Sequence, residues 1–439
     1  MTNRRKFITA VGTLGVGTLA GCAGDDENNG TPTATDIPLA KQTAKLSASD
    51  GSSDDDFGWS VAVSGDGSTA LLAAPGDEHP NGEDARSAYV FSRVDGTWSE
   101  EAKLTANDGP IIRRLRSLVA MAGDGSTALL AAPGDDPNGE GAGSAYVFSR
   151  GDGTWSEEAK LSASDGDSDD DFGWSVAMAG EGSTALVGAI GDEDPNGTAA
   201  GSAYVFSRGN GTWSEEAKLS ASDGDSGDHF GSSVAMAGDG PTAIVGAPED
   251  EDPNGTAAGS AYVFSRGDGT WSEEAKLSAS DGDSDDLFGF SVAVSGDGST
   301  ALLGAPGDED PNGTAAGSAY VFSRGDGTWS EGAKLSASDG DSDDLFGGSV
   351  AMAGDGSTAL LGAPVDEEPN GDLAGSAYVF SRADGTWSEK AKLSASDGDS
   401  NDGFGFSVAV SGDGSTALLG APADEEPNGT AAGSAYVFE

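Results

Sequence analysis

Aspartate is the side chain with the most chemical scope in this sequence, and it comes in runs. The stretch SDGDSDDD at 164–171 sets Asp165, Asp167 and Asp169 at alternate positions, and similar stretches recur along the chain. Oxygen-rich loops of this kind suit calcium, which takes roughly six to eight oxygen ligands. Calcium at Asp165, Asp167 and Asp169, and at their equivalents elsewhere, is one expectation; a solvated acidic loop is the other. Asn-Gly-Thr at Asn196, Asn254, Asn312, Asn428 and Asn210 forms glycosylation sequons, although Pro-Asn-Gly is equally a turn former without sugar. His79 and His229 are the only histidines, and no Ser/His/Asp or metal-ligand spacing surrounds them. No catalytic residue is expected, and the chain reads as a non-enzyme.

The charge balance is extreme. Asp and Glu total 75 against 22 Lys and Arg, a formal net charge of -53 over 439 residues. Nucleic acid is excluded as a partner, because phosphate recognition needs clustered cations. Self-repulsion on this scale destabilises a fold in dilute buffer. At about 1 M salt the Debye length falls to about 3 Å, so the composition resembles that of a halophilic organism. One stretch runs against it: PIIRRLRS at 110–117 has three arginines. Sister segments read SDDDFGxSVA at the same length. Spelled with C-ending codons and read one base early, Ser-Asp-Asp-Phe-Gly becomes Ile-Arg-Arg-Leu-Arg. The stretch therefore reads as an out-of-frame image of an acidic corner rather than a binding patch.

The amino terminus reads as an export signal. Arg4 and Arg5 precede an apolar run from Phe7 to Ala20, which ends in Leu19-Ala20-Gly21-Cys22. The run spans about 21 Å as a helix, too short for a hydrocarbon core of about 30 Å. Residues 1–21 read as a twin-arginine signal peptide with a lipobox, and Cys22, the single cysteine, as the lipidated anchor. Residues 22–36 are a polar tether. The mature protein is expected on the outer face of the cell membrane.

Behind the tether lies a repeat. KLSASDG or a near variant starts at Lys45, Lys103, Lys160, Lys218, Lys276, Lys334 and Lys392, so residues 37–439 hold seven copies of one unit. The third copy divides into four strand-like runs, 172–179, 183–190, 202–208 and 212–221, and tight glycine turns join two of the three pairs. Four antiparallel strands repeated seven times predict an all-β, seven-bladed propeller. The last copy stops at AYVFE and lacks its fourth strand, whereas Ile37–Ala48 supplies a spare one. That segment is expected to pair with Ser434–Phe438 and close the ring. The seven tyrosines and six of the tryptophans, each at one register, read as core and inter-blade packing.

The corners Phe57-Gly58, Phe172-Gly173, Phe230-Gly231, Phe288-Gly289, Phe346-Gly347 and Phe404-Gly405 are followed by Gly246-Ala247-Pro248 and its counterparts at 304–306, 362–364 and 420–422. This pattern resembles the FG-GAP repeats of the integrin α-chain propeller. The resemblance implies a propeller that binds or adheres. The integrin-like calcium loop between the FG and GAP strands is shortened here to GDG, as at 296–298, so that metal site does not carry over. Arg-Gly-Asp at 150–152, 266–268 and 324–326 matches a known integrin ligand but reads as a hairpin turn. The function expected is a lipid-anchored, monomeric surface module that binds a protein or glycan. A structural envelope component and a propeller hydrolase or lyase are the competing readings.

Overall fold

Antiparallel sheets form within the copies because tight turns join the first strand to the second and the third to the outermost. The computed structural model describes residues 39–77, 87–106, 118–193, 195–309 and 311–439. Seven four-stranded sheets result, and in six of them spatial order follows chain order. Blade three consists of Ser175–Met178, Thr184–Ala189, Ser202–Gly209 and Thr212–Leu219, and the innermost strands of neighbouring blades lie against one another around the axis. The seventh sheet is completed by Gln42–Leu46, which pairs antiparallel with Ser434–Phe438 in the register Lys45 to Tyr436. The predicted closure is thus observed, and it leaves the ring without an open gap between its first and last blades.

Phe-Gly and Gly-Ala-Pro turn out to be two halves of one joint. The Phe230 ring is buried between blades three and four, edge-on to Tyr262 and Phe264 at 5.5 and 5.9 Å. Gly231 then passes so close to blade three that a Cβ would stand 2.5 Å from Ser202 O, and it does so at φ +92°, which favours glycine. Its carbonyl lies against Gly188 of blade three, where a Cβ would approach to 2.1 Å, and accepts the Ser175 hydroxyl at 2.7 Å. Each of the six described FG corners is seated in the same way on the GAP strand of the blade before it.

At the opposite end of the innermost strands the backbone forms a closed circuit. Gly65 N–H donates to Gly123 O at 2.8 Å, Gly123 to Gly180 at 3.0 Å and Gly180 to Gly238 at 3.0 Å. Asp239 continues to Gly296, Gly296 to Gly354, Gly354 to Gly412, and Asp413 returns to Gly65 at 3.3 Å. Farther out, each third-to-outermost pair carries a bulge, as between Val205 and Phe206. The ion pairs Glu101–Arg150, Glu158–Arg208, Glu216–Arg266 and Glu274–Arg324 link successive blades at 2.7 to 2.8 Å. Arg93–Glu439 at 2.6 Å spans the junction between the last blade and the first.

The joint makes a prediction. Gly289, at φ +83° with a Cβ position 2.4 Å from Ser260 O, has no room for a side chain, whereas Gly267 faces open space. Gly289→Ala is expected to cost about 2–3 kcal/mol, a Tm loss of roughly 2–4 °C in a ring of this size, and Gly267→Ala to leave Tm within about 1 °C. Thermal melts in high salt check the pair.

Candidate binding face

Because strand direction alternates, the connections from outermost to next innermost strand and from second to third strand open on one face. Its outer half is built around one lysine per blade. Lys218 Nζ lies 2.8 Å from both Asp165 Oδ2 and Asp192 Oδ2, over the Tyr204 ring at 5.3 Å. The Tyr204 hydroxyl donates to the same two carboxylates, at 2.9 and 2.5 Å. Burial alone would lower the Lys218 amine, but Asp165 and Asp192 outweigh it and hold the amine above its ordinary range. Burial would likewise raise Asp165, yet Lys218 and Tyr204 hold it below the usual carboxylate range. The Tyr204 hydroxyl is pushed up by burial and by the two carboxylates, so it remains a donor. Asp165 arrives on the connection from blade two, so this cluster ties that connection to blade three.

Nearer the axis the blades stop being alike. The residue before FG is Asp56, Asp171, His229, Leu287, Leu345 or Gly403 in the six described corners, and the residue after FG is Trp59, Trp174, Ser232, Phe290, Gly348 or Phe406. The residue after the GAP segment is glycine in four blades and Glu249, Val365 or Ala423 in the others. These registers meet in space. His229 Nδ1 is 3.2 Å from Glu249 Oε1, and Leu287, Phe290, Ala315, Leu345 and Val365 form one apolar cluster across blades five and six. Trp59 and Phe406 pack at 4.7 Å between ring centres, tilted by 52°, where blades one and seven meet. The mouth therefore has an acidic sector, a His–Glu sector and an apolar sector. Leu287 and Leu345 hold φ +58°, a conformation that costs a leucine about 1–2 kcal/mol.

The trio Asp165, Asp167 and Asp169 is not drawn into one cage. Asp165 serves the lysine cluster, the Asp167 N–H donates to Asp170 Oδ2 at 2.7 Å, and the Asp169 N–H donates to Glu140 O at 2.8 Å. Among the described residues no group of three or more His, Cys, Asp or Glu is arranged to hold a metal. Sequence reasoning missed Asp170 itself, which is only 3% exposed. Its register is aspartate in every described corner, including Gly227-Asp228 and Asn401-Asp402 where the neighbour changes, and that signal could have found it. Burial pushes the Asp286 and Asp344 carboxyls up to about 7, with Asp308 and Glu309, or Asp366 and Glu367, adding repulsion.

The loop sequons Asn196, Asn254, Asn312 and Asn428 sit on this same face, and Asn210 on the opposite one. The Arg-Gly-Asp tripeptides are hairpin turns as expected, with Asp152, Asp268 and Asp326 at φ +51° to +52°. Cys22, His79 and the arginine-rich stretch 110–117 lie outside the described residues.

Comparison with known families finds the FG-GAP repeat at residues 40–91, 98–148, 155–206, 213–264, 271–322, 329–380 and 387–438. No curated protein matches the chain significantly.

The raised carboxyls fix a sign. A folded-state pKa of about 7 above an unfolded value of 3.8 means that the native state binds the proton more tightly, so stability falls as pH rises from about 4 to 7 and stays low above. The lysine-paired carboxylates, held low, act oppositely and lose their contribution only in acid. Tm is therefore expected to peak near pH 5. The double variant Asp286→Asn, Asp344→Asn should melt several degrees higher than the parent at pH 8 and show a flatter profile between pH 5 and 8, read by calorimetry across pH.

Proposed function

The chain belongs to the FG-GAP repeat family, and from that premise we propose that it is a non-catalytic binding or adhesion module. In this reading a lipid on Cys22 holds it at the outer face of the cell membrane, and the axial mouth engages a surface protein or glycan. The observation that carries the reading is the concentration of chemical difference at the mouth. Elsewhere the copies are nearly interchangeable, but each of the three mouth registers takes four residue types among the described blades. A ligand without sevenfold symmetry can be told apart only by residues that break the symmetry of the scaffold. The strained leucines favour the same reading, because Gly403 shows the unstrained choice at their register.

Ring closure by the chain's own first strand needs no strand from a second copy, and a monomer is part of the proposal. A halophilic setting is another part. One lysine per blade is committed to carboxylates, and the acid that remains needs molar salt to screen it.

Two measurements test the reading separately. In capture from the native envelope at molar salt, Leu287→Gly, Leu345→Gly is expected to lose at least ten-fold of whatever the parent retains. Relief of the left-handed strain offsets part of the lost packing, so the fold should survive. Val94→Ser, on the opposite hairpin face, should retain it all; equal capture by all three proteins removes the mouth from consideration. Cys22→Ser is expected to shift the protein from the membrane fraction to the medium or leave it unprocessed, by fractionation and intact mass. Unchanged retention and mass would exclude the lipid anchor.

A further inference from the structure

The sequons divide by geometry. Asn196, Asn254, Asn312 and Asn428 share one register, and each side-chain amide is used by the fold: Nδ2 donates to the carbonyls of Ala221, Ala279, Ala337 and Ala48 at 2.7, 2.9, 2.8 and 3.1 Å. The same nitrogen lies against the glycine of the adjoining Ser-Asp-Gly turn. A methyl group placed on Gly224, Gly282, Gly340 or Gly51 would stand 2.5 to 2.7 Å from it. A sugar on that nitrogen would have to enter a space closed by a carbonyl on one side and backbone on the other. Asn138 and Asn370, which are followed by Gly-Glu and Gly-Asp and so form no sequon, make the same bond at 3.4 and 3.0 Å. The asparagine at this register is therefore kept for the loop, with or without a following threonine.

Asn210 is different in every respect. It sits in the hairpin between the third and outermost strands of blade three, where the sister turns have Asp95, Asp152, Asp268, Asp326 and Asp384. Asn210, Gly211 and Thr212 are exposed, and nothing stands within 4 Å of a Cβ on Gly209 or Gly211. The turn needs its left-handed φ of +53°, which Asp supplies equally well at +51° to +52°. No backbone requirement distinguishes Asn from Asp here; the change removes one exposed charge and creates an open Asn-Gly-Thr.

We propose that Asn210 is an N-glycosylation site and that the four loop sequons remain bare in the folded protein. The step transfers a sugar from a donor whose anomeric carbon is linked to phosphate. The bond from Asn210 Nδ2 to that carbon forms, the carbon–oxygen bond to phosphate breaks, the amide gives up one proton, and the phosphate departs with the electron pair. Asn29, also in an Asn-Gly-Thr, lies outside the described residues and outside the proposal.

The test is peptide mass mapping of the full chain recovered from its own cells. A glycan is expected on the peptide carrying Asn210 and on none carrying Asn196, Asn254, Asn312 or Asn428. Asn210→Asp, which recreates the sister turns, should abolish that glycan with Tm unchanged. In a parallel reaction, a sequon-specific N-glycosyltransferase and a nucleotide sugar should modify Asn210 at least ten-fold faster than any loop sequon in folded protein, and all of them at similar rates after unfolding. An unmodified Asn210 in material from cells, or sugar on a loop sequon of the folded chain, overturns the proposal.

Discussion

Everything in this propeller depends on how closely two glycines approach across a blade joint. Gly231 and Gly188 put backbone against backbone where side chains would collide, and that contact lets the phenylalanine before Gly231 drop between the blades. The two motifs are far apart in the repeat, yet they form one object, shared by successive copies. The joint tolerates limited change. Ala131 stands at the GAP glycine of blade two, and there the gap opens slightly: a Cβ on Gly173 would lie 2.7 Å from Ser144 O, against 2.3 to 2.5 Å at the other five corners. Ala73, at the same register of blade one, precedes the one copy whose FG corner has become Leu115-Arg116. In sequence, the lost FG and a filled GAP position therefore fall in consecutive copies.

Electrostatics follows from the same economy of repeat. In six copies a single lysine meets an aspartate of its own blade and an aspartate from the preceding connection, with a tyrosine hydroxyl as second donor. Such partly exposed pairs are individually modest, but here each holds a long loop to the blade it precedes. The buried aspartate two residues before phenylalanine works against this arrangement, since it faces the lysine-bound aspartate and its glutamate neighbour with few donors of its own. Its retention at every described corner fits a backbone role: Asp286 Oδ2 accepts the Asp283 N–H at 2.7 Å, and Asp286 O receives the Gly307 N–H at 3.1 Å.

The architecture was legible because repetition multiplies weak signals. One AYVF segment suggests a strand; seven at fixed spacing, with the last copy short by one strand, dictate a closed ring and the identity of its closing strand. The run 172–179 reads as all strand, whereas ladder pairing begins at Ser175, because the Phe172 N–H goes to Ala142 O of the preceding blade and the Gly173 and Trp174 N–H groups converge on the single Gly188 carbonyl of their own sheet. The loops were harder to read. Asp165, Asp167 and Asp169 look alike in an acidic run, and nothing local says that Asp165 will meet Lys218, 53 residues on. Nor does an Asn-Gly-Thr motif reveal whether its amide is already committed. That depends on the alanine carbonyl 25 residues later, brought back by the blade's outermost strand.

A chain of near-identical copies also offers something that a single domain does not, an internal control for each residue. Where the described blades agree, as at the six FG corners and the lysine cluster, the scaffold accounts for the residue, and a symmetric explanation suffices. Where they differ in chemistry, symmetry cannot be the reason. The leucines at 287 and 345 stand in a conformation that glycine would adopt freely, clustered with Phe290 and with Val365, a valine that the other blades lack at its register. Asn210 stands where its sisters have aspartate. These departures lie on opposite faces, the first set around the axis and the second at the rim. If the axial set is where a partner rests, a sugar at the rim of the far face would leave that contact unobstructed, so the fold can carry both without conflict.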